Sequence, residues 1–275
     1  MIKRSIFATA LYLVAQQASA IPFEVDGDLK DWLAGAPTGQ ASDWTPRSDI
    51  VIKSMIEDQT GASTYLDPGW GGQAYDAEAV YVHRSTTHIH IAVVTGRAPG
   101  AGGYVAGDIA IDFGLDDVFD LGIVTLADGV GLGNTQGDLY TVSEWNYGLW
   151  SAPGVVGDPL STEYGALHPA SVKVGNKVGG VDLEYREFTY NGVGGDLGEY
   201  AGDTHYVIET AISLDLIGKI NPDLLNQSFL VHWTMACAND FVEVDPPGAS
   251  VPAPGPLALM LLGLLPLVRR SRNAA

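Results

Sequence analysis

Asp108 and Asp112 stand four residues apart in the run Gly107-Asp-Ile-Ala-Ile-Asp-Phe113. If that run is a strand, the spacing puts both carboxylates on one face with Ala110 between them, and Ile109, Ile111 and Phe113 on the other. Asp76 and Glu78 share a face in the same way if the strand through Tyr81 reaches back to them. Hard cations take six to eight oxygens from carboxylates, amides and backbone, and Ca2+ tolerates irregular cages. The residue types therefore suggest a Ca2+ site built from Asp76, Glu78, Asp108 and Asp112, with Asn239 and Asp240 as further donors. There is no EF-hand loop to fix the spacing. A solvated acidic face, or aspartates that merely form turns, is the competing reading.

Other groups point to other chemistry. Asp26, Asp28 and Asp31 form a second acidic cluster, in which Asp26-Gly27 signals a turn and Asp28 or Asp31 can cap it. His88 and His90 alternate onto one strand face with His83 near, a pattern able to chelate Zn2+ or Cu2+. Trp145, Tyr147 and Trp150 crowd one short segment, and Trp70 sits between glycines. Flat rings beside polar groups either offer stacking faces to a sugar or pin long loops to a scaffold. No GxSxG elbow or HExxH helix occurs, and Cys237 in Met-Ala-Cys-Ala reads as packing. A carboxylate pair acting as acid and base on a polysaccharide remains a third, enzymatic reading.

The elements that must carry these groups are short. Runs with period-two alternation or β-branched residues lie near Ile50–Met55, Ala79–Val82, His88–Thr95, Asp108–Phe113 and Leu121–Thr125. More follow near Leu139–Val142, Ser171–Val174, Leu183–Tyr190, Tyr206–Ile212 and Phe229–Met235. Helical periodicity is confined to one turn around Ser213–Ile217, capped by Ser213 or Asp215, and another after Asn221-Pro222. The expected fold is all-β, an antiparallel two-sheet sandwich of jelly-roll type over 21–245. Long Gly-rich loops are expected at Gly61–Gln73, Gly96–Gly107, Asp128–Gly137, Gly148–Gly165 and Asn191–Gly202. Asn191-Gly-Val-Gly-Gly-Asp196 reads as a turn.

The ends differ from the middle. Lys3 and Arg4, an apolar run from Ile6 to Ala15, and Ala18-Ser19-Ala20 make residues 1–20 a secretory signal helix, cut after Ala20. A proline-rich linker, 246–255, leads into an uncharged transmembrane helix at 256–268. Arg269, Arg270 and Arg272 in the tail 269–275 then stay cytoplasmic. The signal holds two of the 14 Lys+Arg and the tail three, and neither holds an acid. The body between them therefore carries all 33 Asp+Glu against nine bases. So acidic a surface excludes a nucleic-acid partner, whose phosphates need Lys and Arg, and attracts divalent cations. A single Cys excludes an internal disulfide.

The tail resembles the PEP-CTERM sorting signal: the motif Val251-Pro252-Ala253-Pro254, a Leu/Gly-rich span and a basic end, with Ala253 where that family usually has Glu. The resemblance implies processing by an exosortase-type sorting enzyme, transient residence in the inner membrane, and delivery to the cell surface or an exopolysaccharide matrix. In the body, Phe23 to Trp32 (FEVDGDLKDW) is similar to the DG-x-x-x-x-W opening of family-nine carbohydrate-binding modules and DOMON-like domains. The hairpin Ala79–Val82 with His88–Val94, and the segment Tyr206–Gly218, resemble their central and late elements. That resemblance implies a β-sandwich with Trp32 as packing. Together these readings give an exported, non-catalytic structural or adhesive sandwich. The alternative is a carbohydrate-binding module using Trp70, Trp145, Tyr147 and Trp150.

Overall fold

The computed structural model describes residues 23–58, 71–127, 135–147, 168–200, 202–238 and 240–246. The signal segment, the sorting motif, the membrane span and its arginines lie outside these residues, as do Trp70, Trp150 and Asn239.

Among the described residues there are eleven strands and one α-helix. In chain order they are β1 (Lys53–Ile56), β2 (Ala77–Arg84), β3 (His88–Thr95), β4 (Ile109–Phe113), β5 (Leu121–Ile123) and β6 (Asp138–Asn146). They continue as β7 (Ser171–Gly180), β8 (Asp182–Glu187), β9 (Tyr206–Ser213), α1 (Leu214–Ile220), β10 (Phe229–Thr234) and β11 (Phe241–Val244). One sheet has the order β1-β2-β3-β9-β8 and the other β11-β10-β4-β5-β6-β7. All strand pairings are antiparallel. The expected two-sheet, all-β fold is therefore present. Its order differs from a jelly roll: consecutive strands pair as neighbours (β1–β3, β4–β7, β8–β9, β10–β11), and β9 and β10 then return to pair with β3 and β4. Val181 alone separates β7 from β8, so the chain changes sheets there within one residue.

Alternation explains how the sheets stack. Val80 and Val82 of β2, with Ile89, Ile91 and Val93 of β3, face an inner core that also takes Ile109, Ile111 and Phe113 of β4 and Phe229, Val231 and Trp233 of β10. Each such side chain, fully buried, contributes roughly 1.5–3 kcal/mol. Several outward residues of the first sheet are also apolar. Ala79, Tyr81, Ala92 and Val94 are covered by the N-terminal segment through Leu29, Trp32, Leu33 and Trp44. Covering on both faces is why β2 and β3 read as continuous apolar runs rather than as clean alternation.

Local signals set the boundaries. Ser213 caps α1 by accepting the Asp215 amide at 3.2 Å, and Asn221 caps the following 3-10 turn through the Asp223 amide at 3.0 Å. β7 runs on to Gly180 although Gly175, Gly179 and Gly180 argue against a strand. Register shifts against β6 accommodate it, and a Cβ at Gly175 would lie 2.6 Å from the Thr141 carbonyl oxygen. β11 carries no strand signal strong enough to be expected from sequence. It exists because β10 offers it a complete edge, from Val231↔Val244 to Thr234↔Phe241.

Candidate metal centre

Three chain segments bring their acids to one edge of the sandwich. Glu57 follows β1 directly, its amide donating to the Glu78 carbonyl at 2.7 Å. Asp76 ends a 3-10 turn over Gln73–Tyr75, immediately before β2. Its carbonyl is held by the Gly96 amide at 3.1 Å and by the Thr95 hydroxyl. Asp240 immediately precedes β11; its Oδ2 accepts the Ala77 amide at 2.7 Å and its Oδ1 the Phe241 amide at 2.8 Å. One carboxylate oxygen from each of Glu57, Asp76 and Asp240 lies within 4.8 Å of the others. Asp76 is 0%, Asp240 1% and Glu57 8% exposed.

The electrostatics of this cluster are unbalanced. Neither carboxylate oxygen of Asp76 nor either of Glu57 receives a hydrogen bond from a described residue. Burial pushes the Glu57 carboxyl up to about 9, with Asp240, Glu78 and Asp58 adding repulsion. Burial also holds the Asp76 carboxyl far above the usual carboxylate range, reinforced by Glu78, Asp240 and Glu57. Glu78, itself fully buried, accepts from Gln73 Nε2 at 2.7 Å and lies 3.4 Å from His205 Nε2. Among the described residues no Lys or Arg forms an ion pair with these acids. The donors are all oxygen, which suits a hard divalent cation and gives nothing a soft metal prefers.

The structure thus unites Asp76 and Asp240 of the sequence-derived set, adds Glu57, and sets Glu78, Asp108 and Asp112 apart from them. A bulge in β2 between Ala77 and Ala79 breaks the alternation that was to place Asp76 and Glu78 on one face. Glu78 turns to Gln73 and His205 instead. Asp108 accepts the amides of Thr125 at 3.2 Å and Val172 at 2.9 Å; burial raises its carboxyl to about 6 against those two donors. Asp112 accepts the amides of Asp116 at 3.4 Å and Asp117 at 2.9 Å. Both lie outside the carboxylate group: Asp108 ties β7 and the segment after β5 to the start of β4, and Asp112 holds the turn after β4. Glu57 had no motif to mark it; an acid at the end of an edge strand is its only local trace.

The remaining candidates are also placed. Asp28 caps the 3-10 turn before Trp32 through the Lys30 amide and accepts the Asn191 and Gly192 amides at 2.9 and 2.6 Å, so Asn191-Gly192 is a turn. Trp32 is buried, its Nε1 donating to Glu209 at 2.7 Å. The histidines converge, but around a ring: Phe23 stacks on His83 at 4.8 Å and on His90 at 4.9 Å. Trp145 corrects the expectation of a ring presented to a ligand. Its indole is 8% exposed, packs with Ala110, Tyr140 and Val172, and donates to the Phe119 carbonyl at 3.0 Å. Tyr147 is half-buried against the same cluster. Cys237 lies in the inner core, in keeping with packing.

Among the described residues no helix is long and apolar enough to cross a membrane. Compared with known proteins, the chain matches no family model, no curated sequence and no solved structure.

Proposed function

We propose that the chain is an exported cell-surface or exopolysaccharide-matrix protein, sorted by an exosortase-type enzyme after transient mooring in the inner membrane. Its sandwich is a non-catalytic structural or adhesive module. The two ends of the sequence support the route. One observation carries the structural role: several buried acids serve as architecture. Asp28, Asp108, Asp112 and Glu209 each accept two or more backbone amides; Asp28, Asp108 and Glu209 thereby join segments far apart in sequence, and Asp112 fixes the turn after β4. A carboxylate engaged in this way is fixed in place and has little freedom to move a proton to a substrate. The sugar-binding reading keeps Tyr147 among the described residues and loses Trp145 to the core.

The test is mass spectrometry of the native product with cell fractionation. The expected mature protein begins at Ile21, lacks the arginine tail, and sits at the surface or in the matrix. Recovery from the cytosol with Met1 and Ala275 both present overturns the proposal.

A further inference from the structure

We propose that Glu57, Asp76 and Asp240 hold one Ca2+, which fastens the β1–β2 edge of one sheet to the β11 edge of the other. The assignment stands whether or not the chain is sorted to the surface.

Geometry comes first. Ca2+ binds oxygen at about 2.3–2.6 Å, so two ligands on opposite sides of the ion lie roughly 4.8 Å apart. Carboxylate oxygens from all three residues fall within that span, 4.8 Å. The second observation is independent of the clustering. Asp76 is wholly enclosed, yet both its carboxylate oxygens lack a hydrogen bond from any described residue, and the same holds for both oxygens of Glu57. Burying carboxylates without partners is strongly unfavourable, and native interiors meet that need with hydrogen bonds, opposite charge or a metal. Asp240 is held differently: the Ala77 and Phe241 amides aim its carboxylate, as outer hydrogen bonds orient a metal ligand.

The ion's class follows from the enclosure. Mg2+ keeps several waters and a strict octahedron, whereas Ca2+ gives up water readily and accepts irregular oxygen cages. Asp76 and Asp240, at 0% and 1% exposure, are enclosed, an environment that favours an ion ready to shed its water. The position explains what the ion does. β1 and β11 are the edge strands of their sheets on the same side of the sandwich, where the Glu243 amide of β11 reaches Met55 Sδ of β1 at 3.3 Å. A cation drawing one ligand from beside each of β1, β2 and β11 joins the layers where the backbone ladders stop.

The experiment uses the purified full chain, stripped with EDTA, then titrated with CaCl2 or MgCl2 by calorimetry and followed by thermal unfolding. Expected are one Ca2+ per chain and a Tm rise of roughly 5 °C or more at a hundredfold excess over Kd, with Mg2+ at least tenfold weaker. Asp76→Asn and Glu57→Gln each weaken Ca2+ binding at least tenfold, while in EDTA they unfold no earlier than the unsubstituted protein, because a repelling charge has been removed. Asp108→Asn keeps the Ca2+ response. No bound Ca2+ and a Tm unmoved by Ca2+ overturns the site. Undiminished binding in both Asp76→Asn and Glu57→Gln overturns the ligands, and equal binding of Mg2+ overturns the ion.

Discussion

Substituting Glu209 with Gln should change how stability depends on pH. Glu209 lies in β9 on the outer face of its sheet, 2% exposed. Its Oε2 takes the Asp26 and Gly27 amides at 3.0 and 2.9 Å, and its Oε1 takes Trp32 Nε1 at 2.7 Å. Burial raises the carboxyl from 4.5 to about 7, outweighing the three donors that favour the charge. A raised carboxyl means the folded chain binds this proton more tightly than the unfolded chain. Its contribution is therefore fully present below 4.5 and is lost as pH rises through about 7. At about 1.4 kcal/mol per pH unit of offset, the whole effect is ~3 kcal/mol, of which ~2 falls between about pH 5 and 8. Gln has the same shape and cannot ionise. Whatever its amide costs against those donors is independent of pH and cancels from the slope. Urea unfolding followed by Trp fluorescence, repeated at steps across that range, should show the Gln variant gaining ~2 kcal/mol on the unsubstituted protein from acid to alkaline. Parallel curves refute the reasoning, since they mean that the three N–H groups keep Glu209 ionised throughout.

Two further outcomes follow from packing. Gly27→Ala should destabilise the chain by about 1–3 kcal/mol: the position has φ +72° and its Cβ would meet Arg186 Cδ at 2.5 Å. An unchanged urea midpoint counts against that account of the turn. Trp145→Ala should cost about 3–5 kcal/mol as an enclosed indole, and a loss below about 1 kcal/mol means the ring does not support the sheet.

Much of the framework is legible in single segments. His88–Thr95 matches β3 at both ends, and Ile109, Ile111 and Phe113 face the inner core as alternation requires. Ser213 caps the helix it was expected to cap, and Asp28 with Gly27 makes the turn that presents Trp32. The carboxylate cluster is legible only in fragments. Spacing along one strand put Asp112 beside Asp108 and Glu78 beside Asp76, yet the first pair binds backbone amides and a bulge separates the second.

The sequence by itself determined what depends on near neighbours: period-two burial, caps, the Asp26-Gly27 turn, the excess of acids and the unlike ends. These follow from steric and hydrogen-bonding preferences acting over a few residues. Only the tertiary structure decided that Glu57, Asp76 and Asp240 meet, that Trp145 is enclosed, and that β11 forms at all. Each of those outcomes depends on two sheets stacking and on which edge a late strand joins. Burial, which sets such contacts, is shared among segments that no local spacing connects.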